Sequence, residues 1–122
     1  MVTSALSQRV QTQTMSAEYT FYPSLEAEAP IPENGILSRT LHNDDHVKVV
    51  LFGFAPGQEL SAHTAPMAAS LQFVSGEARL TLGGNTHDVK AGAFVHMPPQ
   101  MQHGIAAKTA VVMLLAMYKQ NR

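Results

Sequence analysis

The amino-acid sequence predicts a single domain built from β-strands. From Ile36 to Tyr118 it consists of short apolar or alternating segments, which begin with ILSRTL and end with TAVVMLLAMY. Turn-forming residues such as NDD, PGQ, GGN and PPQ separate these segments at close and fairly regular spacing. A chain of 122 residues is long enough to bury one hydrophobic core. The expected all-β architecture is an antiparallel sandwich or barrel over residues 31–122.

Residues 1–30 are predicted to form an N-terminal arm outside this barrel. The first half of the arm is rich in Ser, Thr and Gln and has almost no periodic apolar signal, so we expect it to be partly disordered. Tyr19–Tyr22 (YTFY) has high strand propensity, and the turn-forming Pro30–Gly35 follows. An isolated strand must pair with another, so this one is expected on its own barrel or, by swapping, on the sheet edge of a second copy.

Three segments show how the strands are expected to be buried. Ala78, Leu80 and Leu82 alternate with polar residues, which is typical of a half-buried strand. Val47–Phe54 is apolar on both faces, as expected of a strand covered by two layers. Thr109–Tyr118 fits either a helix or a strand, and its adjacent valines and the all-strand context favour a strand.

Composition excludes several classes of protein. Only 14% of the residues are charged and the formal net charge is −1, so neither a nucleic-acid-binding surface nor an acidic tail is expected. The chain has no cysteine, which excludes disulfides, thiolate zinc sites and cysteine nucleophiles. No apolar run is long enough to cross a membrane, and the N-terminus lacks the pattern of a signal peptide, so a cytoplasmic location is expected.

Two spaced motifs carry a resemblance to a known family. In the first motif a glycine is followed after five residues by a histidine and later by a second glycine, which opens GEARLTLGG. In the second motif a glycine is followed after five residues by a proline and then by a histidine. The residues are Gly57, His63 and Gly76 in the first motif and Gly92, Pro98 and His103 in the second. This pattern resembles the cupin superfamily over most of the chain, from Ile36 to Tyr118. The resemblance implies a small jelly-roll barrel, or double-stranded β-helix, with a site in its mouth.

In many members of that superfamily the site binds iron, manganese, nickel or zinc through three histidines and one carboxylate. This chain departs from the pattern at two of those ligand positions, where it has Ala65 in place of a histidine and Ala69 in place of the carboxylate. Gln100 replaces a glycine of the second motif. Because alanine has no donor atom, His63 and His103 are the family ligands that are left, and any divalent metal is expected to be weakly held.

His63 and His103 are therefore the candidate site residues. If the segments between them are antiparallel strands, the two imidazoles can converge on one site. They can bind a metal, or they can donate and accept hydrogen bonds in a pocket without one, and the sequence leaves both readings open. Glu59, four residues before His63, is a candidate further metal ligand, and its alternative is a solvated residue at a strand start.

The same resemblance implies which other residues line the barrel. Leu71, Phe73, Val95 and Met97 are expected to line the ligand pocket. His96 is expected on the outer face because it alternates with Val95 and Met97. The other histidines, His42, His46 and His87, lie beside turn or charged segments and are expected at the surface.

The expected function is the binding of a small molecule in the barrel pocket, with a weakly held divalent metal as a candidate cofactor. One alternative is a metal-dependent enzyme, similar to a dioxygenase or isomerase, that acts on a small metabolite. Another is a structural or partner-binding protein with a vestigial pocket. A homodimer that includes the arm is expected, because the YTFY rings and the outer faces of Val47–Phe54 and Val111–Tyr118 need to be covered.

Overall fold

The structure, a computed structural model, describes residues 18–120 and confirms the all-β prediction. These residues form nine strands and one short helix. The elements in chain order are α1 (Leu25–Glu28), β1 (Ile36–Asn43), β2 (Val47–Phe54), β3 (Glu59–His63), β4 (Ala69–Ser75), β5 (Glu77–Leu82), β6 (Asn85–Lys90), β7 (Phe94–Met97), β8 (His103–Ala107) and β9 (Val111–Tyr118). Residues 1–17, which include most of the predicted arm, lie outside the described part. No helix among the described residues is long and apolar enough to span a membrane.

The nine strands form two antiparallel sheets that enclose the main core. Sheet A has the order β1-β2-β9-β4-β7, and sheet B has the order β3-β8-β5-β6. Side chains from both sheets, such as Phe54, Phe73 and Met113 from sheet A and Leu80 and Ile105 from sheet B, belong to one buried cluster. This is the jelly-roll barrel that the sequence predicted.

The predicted burial patterns are confirmed in the strands that carried them. Ala78 and Leu80 of β5 are buried, whereas Arg79 between them is exposed. Phe54 of β2 belongs to the main core, and Leu51 of the same strand belongs to a second cluster on the outer face of sheet A. The ambiguous C-terminal segment is strand β9, which pairs along its whole length with β2.

Three local features differ from the sequence prediction. Strands β6 and β8 were not predicted, because NTHDVK is polar and HGIAA is short and rich in small residues. Within a single chain Tyr19–Tyr22 belongs to no strand. Instead the chain turns into α1, whose N-terminus is capped by the Ser24 hydroxyl, which accepts a hydrogen bond from the Ala27 amide.

The described part of the arm packs on the outer face of sheet A. Tyr22, Leu25 and Ala29 contact the second cluster, which contains Leu41, Leu51 and Val112. Arg39 of β1 pairs with Glu28, and its guanidinium lies 5.8 Å from the centre of the Tyr22 ring. The outer face of β2 is therefore covered within one chain, and a second copy is not needed for that part of the surface.

The connector that follows α1 lies directly against the backbone of Gly53 in β2. A Cβ atom added at Gly53 would lie 2.1 Å from the carbonyl oxygen of Pro30. Such a distance is far inside van der Waals contact, so only glycine allows the connector to pack on this strand. The contact fixes the arm to sheet A through the main chain as well as through side chains.

We predict that Gly53→Ala lowers the free energy of unfolding by about 1–3 kcal/mol, because the new methyl group must displace the connector. Urea denaturation measures this change. Gly84→Ala is the matched control, since a Cβ atom there would meet nothing within 4 Å. Equal stability of the two variants would show that the connector does not depend on the missing side chain of Gly53.

Candidate functional site

The two candidate histidines meet where β3 ends and β8 begins. His63 and His103 are directly opposite each other in the β3–β8 pair, and their ring centroids are 4.4 Å apart. Because His103 also pairs with Leu82, which packs against the main core, both imidazoles lie on the side of sheet B that faces the barrel. The His103 residue is buried, with 8% of its surface exposed, whereas His63 is exposed. The structure thus brings together the two histidines that the sequence singled out.

Backbone carbonyl groups orient both rings in the same way. The Nδ1 atom of His63 is 2.9 Å from the Ser61 carbonyl oxygen, and that of His103 is 3.0 Å from the Met101 carbonyl oxygen. A carbonyl oxygen only accepts hydrogen bonds, so each Nδ1 atom carries the hydrogen and donates it. In each neutral ring the Nε2 lone pair is then free to bind a proton donor or a metal ion.

The positions of the two missing family ligands offer no replacement donors. Ala69 is a buried member of the main core, and Ala65 contributes only its backbone to the neighbouring loop. Over residues 18–120 there is no group of three or more His, Cys, Asp and Glu side chains that could hold a metal ion. The local donor set therefore consists of two imidazoles.

Glu59 does not join this pair, for a reason that lies in the register of β3. The β3–β8 pairing shifts between Leu60 and His63, so residues four apart no longer share a face. Glu59 is opposite Ala106, which is opposite Arg79, and this row forms part of a depression on the outer surface of sheet B. The geometry gives no support to Glu59 as a metal ligand.

The four residues expected to line a pocket divide into two groups. Leu71, Phe73 and Met97 are at most 2% exposed and fill the core, so no open space borders them in the manner of a pocket wall. Val95 is half-buried and borders a cleft of about 370 Å³ between β5–β6 and β7. The other residues that line this cleft are Leu80, Leu82, His87, Asp88, Val89 and Phe94.

This cleft lies next to the histidine pair. Leu82 lines the cleft and is directly opposite His103 in the β5–β8 pair, so one side chain borders both. His87 is exposed, as predicted, but it pairs with Leu80 and lies on the barrel side of the edge strand β6. The sequence did not identify His87 as a residue that lines the cleft. The two-residue Gly83-Gly84 turn, which sets Leu82 opposite Asn85 and hence Leu80 opposite His87, is the signal that could have revealed it.

The charged side chains beside this cleft pair with one another. The ammonium group of Lys108 is 3.0 Å from the Asp88 carboxylate. The Nε atom of Arg79 is 3.6 Å from the same carboxylate oxygen. The hydrogen bond and charge of Lys108, with a contribution from Arg79, lower the pKa of Asp88 below its usual value. Asp88 is thus ionised and paired with Lys108, and it stands at the edge of the cleft that it lines. His96 lies on the outer face of sheet A, as predicted, with its ring 6.1 Å from that of Tyr118.

A strained residue holds the loop that orients His103. Gln100, which stands where the family pattern has glycine, has a φ angle of 70° and is the one non-glycine residue in the described part of the chain with positive φ. Its amide donates a hydrogen bond of 2.7 Å to the Ala65 carbonyl oxygen, and so joins the β7–β8 loop to the β3–β4 loop. The next residue, Met101, supplies the carbonyl group that binds His103 Nδ1.

We predict that Gln100→Gly raises the free energy of unfolding by about 1 kcal/mol, because glycine adopts this left-handed conformation without the clash of a Cβ atom. Thermal unfolding followed by circular dichroism measures the change. The control is Gln102→Gly in the same loop, where φ is not positive and added chain entropy is expected to destabilise. A loss of stability in both variants would contradict the assignment of strain to Gln100.

Comparisons with known proteins agree with the fold. A family model described as "Cupin domain" matches residues 50–118. A conserved protein of unknown function from Streptococcus pyogenes is 30% identical, with 87% of this chain and 93% of that chain covered and a TM-score of 0.76. A cupin superfamily protein from Desulfitobacterium hafniense is 25% identical, with 85% and 94% covered and a TM-score of 0.75.

The fold is also shared with a more distant structure. An uncharacterised protein with a double-stranded β-helix domain from Klebsiella pneumoniae is 21% identical, with 85% and 93% covered and a TM-score of 0.74. No curated protein matches the chain.

Proposed function

The chain belongs to the cupin superfamily, and we propose that it binds a small molecule at the barrel mouth, between the His63–His103 pair and the adjacent cleft. The observation that carries this proposal is the common orientation of the two imidazoles. Each Nδ1 hydrogen is held by a backbone carbonyl group, and each Nε2 atom is left available on rings 4.4 Å apart.

The cleft defines the kind of ligand that fits. Its volume of about 370 Å³ is in the range of small-molecule sites, and Leu80, Leu82, Val89 and Val95 give it apolar walls, while His87 and Asp88 add polar groups at one side. The Nε2 atoms of His63 and His103, which lie beyond Leu82, supply the polar end of the site. A matching ligand has an apolar body of a few carbon atoms, or one ring, and a hydroxyl, carboxylate or similar oxygen-bearing group at one end.

Two imidazoles also suit a loosely held divalent transition metal such as iron, manganese, nickel or zinc. Neutral Nε2 atoms are common ligands for these ions, and the backbone hydrogen bonds at Nδ1 are the usual outer contacts of ligating histidines. His63 and His103 would hold the ion, which when bound would supply a Lewis acid for the oxygen atoms of the ligand. Because the described residues offer no third side-chain donor nearby, we propose ligand binding in preference to metal-dependent catalysis.

We predict that protein purified without an affinity tag binds one Ni²⁺ or Zn²⁺ per chain weakly, and that His63→Ala or His103→Ala lowers the affinity at least about tenfold. Binding should also weaken in acid, because a protonated imidazole cannot coordinate. Titration calorimetry gives the affinity, and metal analysis gives the content of the purified protein.

His96→Ala is the matched control. His96 lies on the outer face of sheet A, away from the histidine pair, so this substitution should leave the affinity unchanged. Equal affinities for all four proteins would reject the metal site. Stoichiometric metal that survives prolonged chelation would reject the weak site and require further ligands.

We also propose a homodimer in which the arm takes part. The described arm covers the outer face of β2, but Tyr19 and Phe21 are 88% and 72% exposed. These large apolar side chains are the surface that a second copy would bury.

We predict dimer mass for the full chain at micromolar concentration and monomer mass for a chain that begins at Pro30, because the shortened chain lacks the aromatic residues of the arm. Multi-angle light scattering measures both masses. A monomeric full-length chain would refute the dimer, and a dimer that survives the truncation would exclude the arm from the interface.

A further inference from the structure

A second site, separate from the histidine pair, lies between the arm and the outer face of sheet A. The arm does not close completely on the sheet and leaves a groove of about 520 Å³. The walls of the groove are apolar and come from Phe21, Tyr22, Leu25, Leu41, Val49 and Leu114. Thr20 and His42 are the polar residues that line it.

These two residues form a hydrogen-bonded chain with a carboxylate. The Thr20 hydroxyl oxygen is 2.8 Å from His42 Nδ1, and His42 Nε2 is 2.7 Å from Asp44 Oδ2. The Asp44 carboxylate is itself fixed, because its other oxygen accepts hydrogen bonds of 2.8 Å and 2.9 Å from the amides of His46 and Val47. Nearby Lys119 donates to the Asn43 side chain and to the Asp44 carbonyl group.

The protonation states in this chain follow from what each group can accept. The hydrogen bond from His42, together with those from the two amides, lowers the pKa of Asp44 well below its usual range, so the carboxylate is ionised. An ionised carboxylate only accepts hydrogen bonds, so in its neutral form the His42 ring carries its hydrogen on Nε2. The Nδ1 lone pair then faces the Thr20 hydroxyl, which donates to it. This is the relation of nucleophile, base and orienting carboxylate that activates a hydroxyl group.

We propose that Thr20 is an activated nucleophile that accepts the acyl group of small apolar esters or thioesters bound in the groove. The Thr20 oxygen forms a bond to the carbonyl carbon while its proton passes to His42 Nδ1. The bond from that carbon to the leaving oxygen or sulfur breaks, and the leaving group takes the proton from His42. The products are an ester on Thr20 and a free alcohol or thiol, so neither an oxidant nor a further reactant is required.

The groove accounts for the choice of acyl group. Its apolar walls begin directly beside Thr20, with Phe21 next in the chain and Leu41 next to His42, so the acyl chain of a substrate would lie against them. Each methylene group buried there should increase the efficiency of acylation by up to about fourfold. Among residues 18–120 no acidic side chain lines the groove, which favours a neutral acyl chain over a cationic one.

The test uses p-nitrophenyl acetate and p-nitrophenyl butanoate with the full chain. We expect release of one equivalent of p-nitrophenolate, faster with the butanoate, and one acyl group on the peptide that contains Thr20 by mass spectrometry. Thr20→Val should abolish this adduct and Thr20→Ser should retain it. His42→Gln, which accepts a hydrogen bond but is a far weaker base, should lower the acylation rate about a hundredfold.

Asp44 is a positioning residue in this scheme, and Asp44→Asn should change the pH dependence of the acylation rate as well as its size, because His42 loses its anionic partner. Thr40→Val, at an exposed threonine of β1, is the control and should react like the unchanged protein. An adduct on lysine, or a rate that Thr20→Val leaves unchanged, would overturn the proposal. So would a rate that is equal in the His42→Gln variant and the unchanged protein.

Discussion

The pairing of β3 with β8 is the constraint on which the candidate site depends. If β3 were regular, residues of one parity would all face the barrel, and Glu59 would share a face with His63. The shift between Leu60 and His63 breaks that relation and sets His63 directly opposite His103. Gly104 permits the irregular strand to approach, since a Cβ atom there would lie 3.1 Å from the Leu60 carbonyl oxygen and the Ala62 amide. One local irregularity thus brings the imidazoles together and turns the nearest carboxylate outward.

The sequence was sufficient for the fold and for the histidine pair, and insufficient for the shape of the space around it. Strands such as β5 and β9 could be predicted because alternation and apolar length are properties of the chain alone. The cleft could not be predicted in this way. Its size depends on the distance between β6 and β7 and on whether Leu71, Phe73 and Met97 pack against each other in the core. Likewise, the irregularity in β3 leaves no mark in ELSAH, so parity alone suggested the wrong face for Glu59.

The two faces of sheet A have different roles: the inner face packs in the core, and the outer face contacts the arm. The inner face contributes Phe54, Phe73 and Met113 to the core and supports the mouth from below. The outer face is covered in part by the arm, through the apolar contacts of Tyr22 and the close approach of Pro30 to Gly53. The arm leaves a groove beside Thr20 and His42, so the second proposed site lies on this face, apart from the histidine pair.

The alanines at the two missing ligand positions have opposite surroundings, and that difference explains what the site has become. Ala65 lies in a loop and is fixed through its carbonyl group by Gln100, so its side chain has no part in the core. Ala69 is 5% exposed within the apolar cluster, where a carboxylate would lose its hydration. A bound cation would offset that loss, so a carboxylate at this position would tie the stability of the barrel to its metal. With alanine there, the apolar core is complete without an ion.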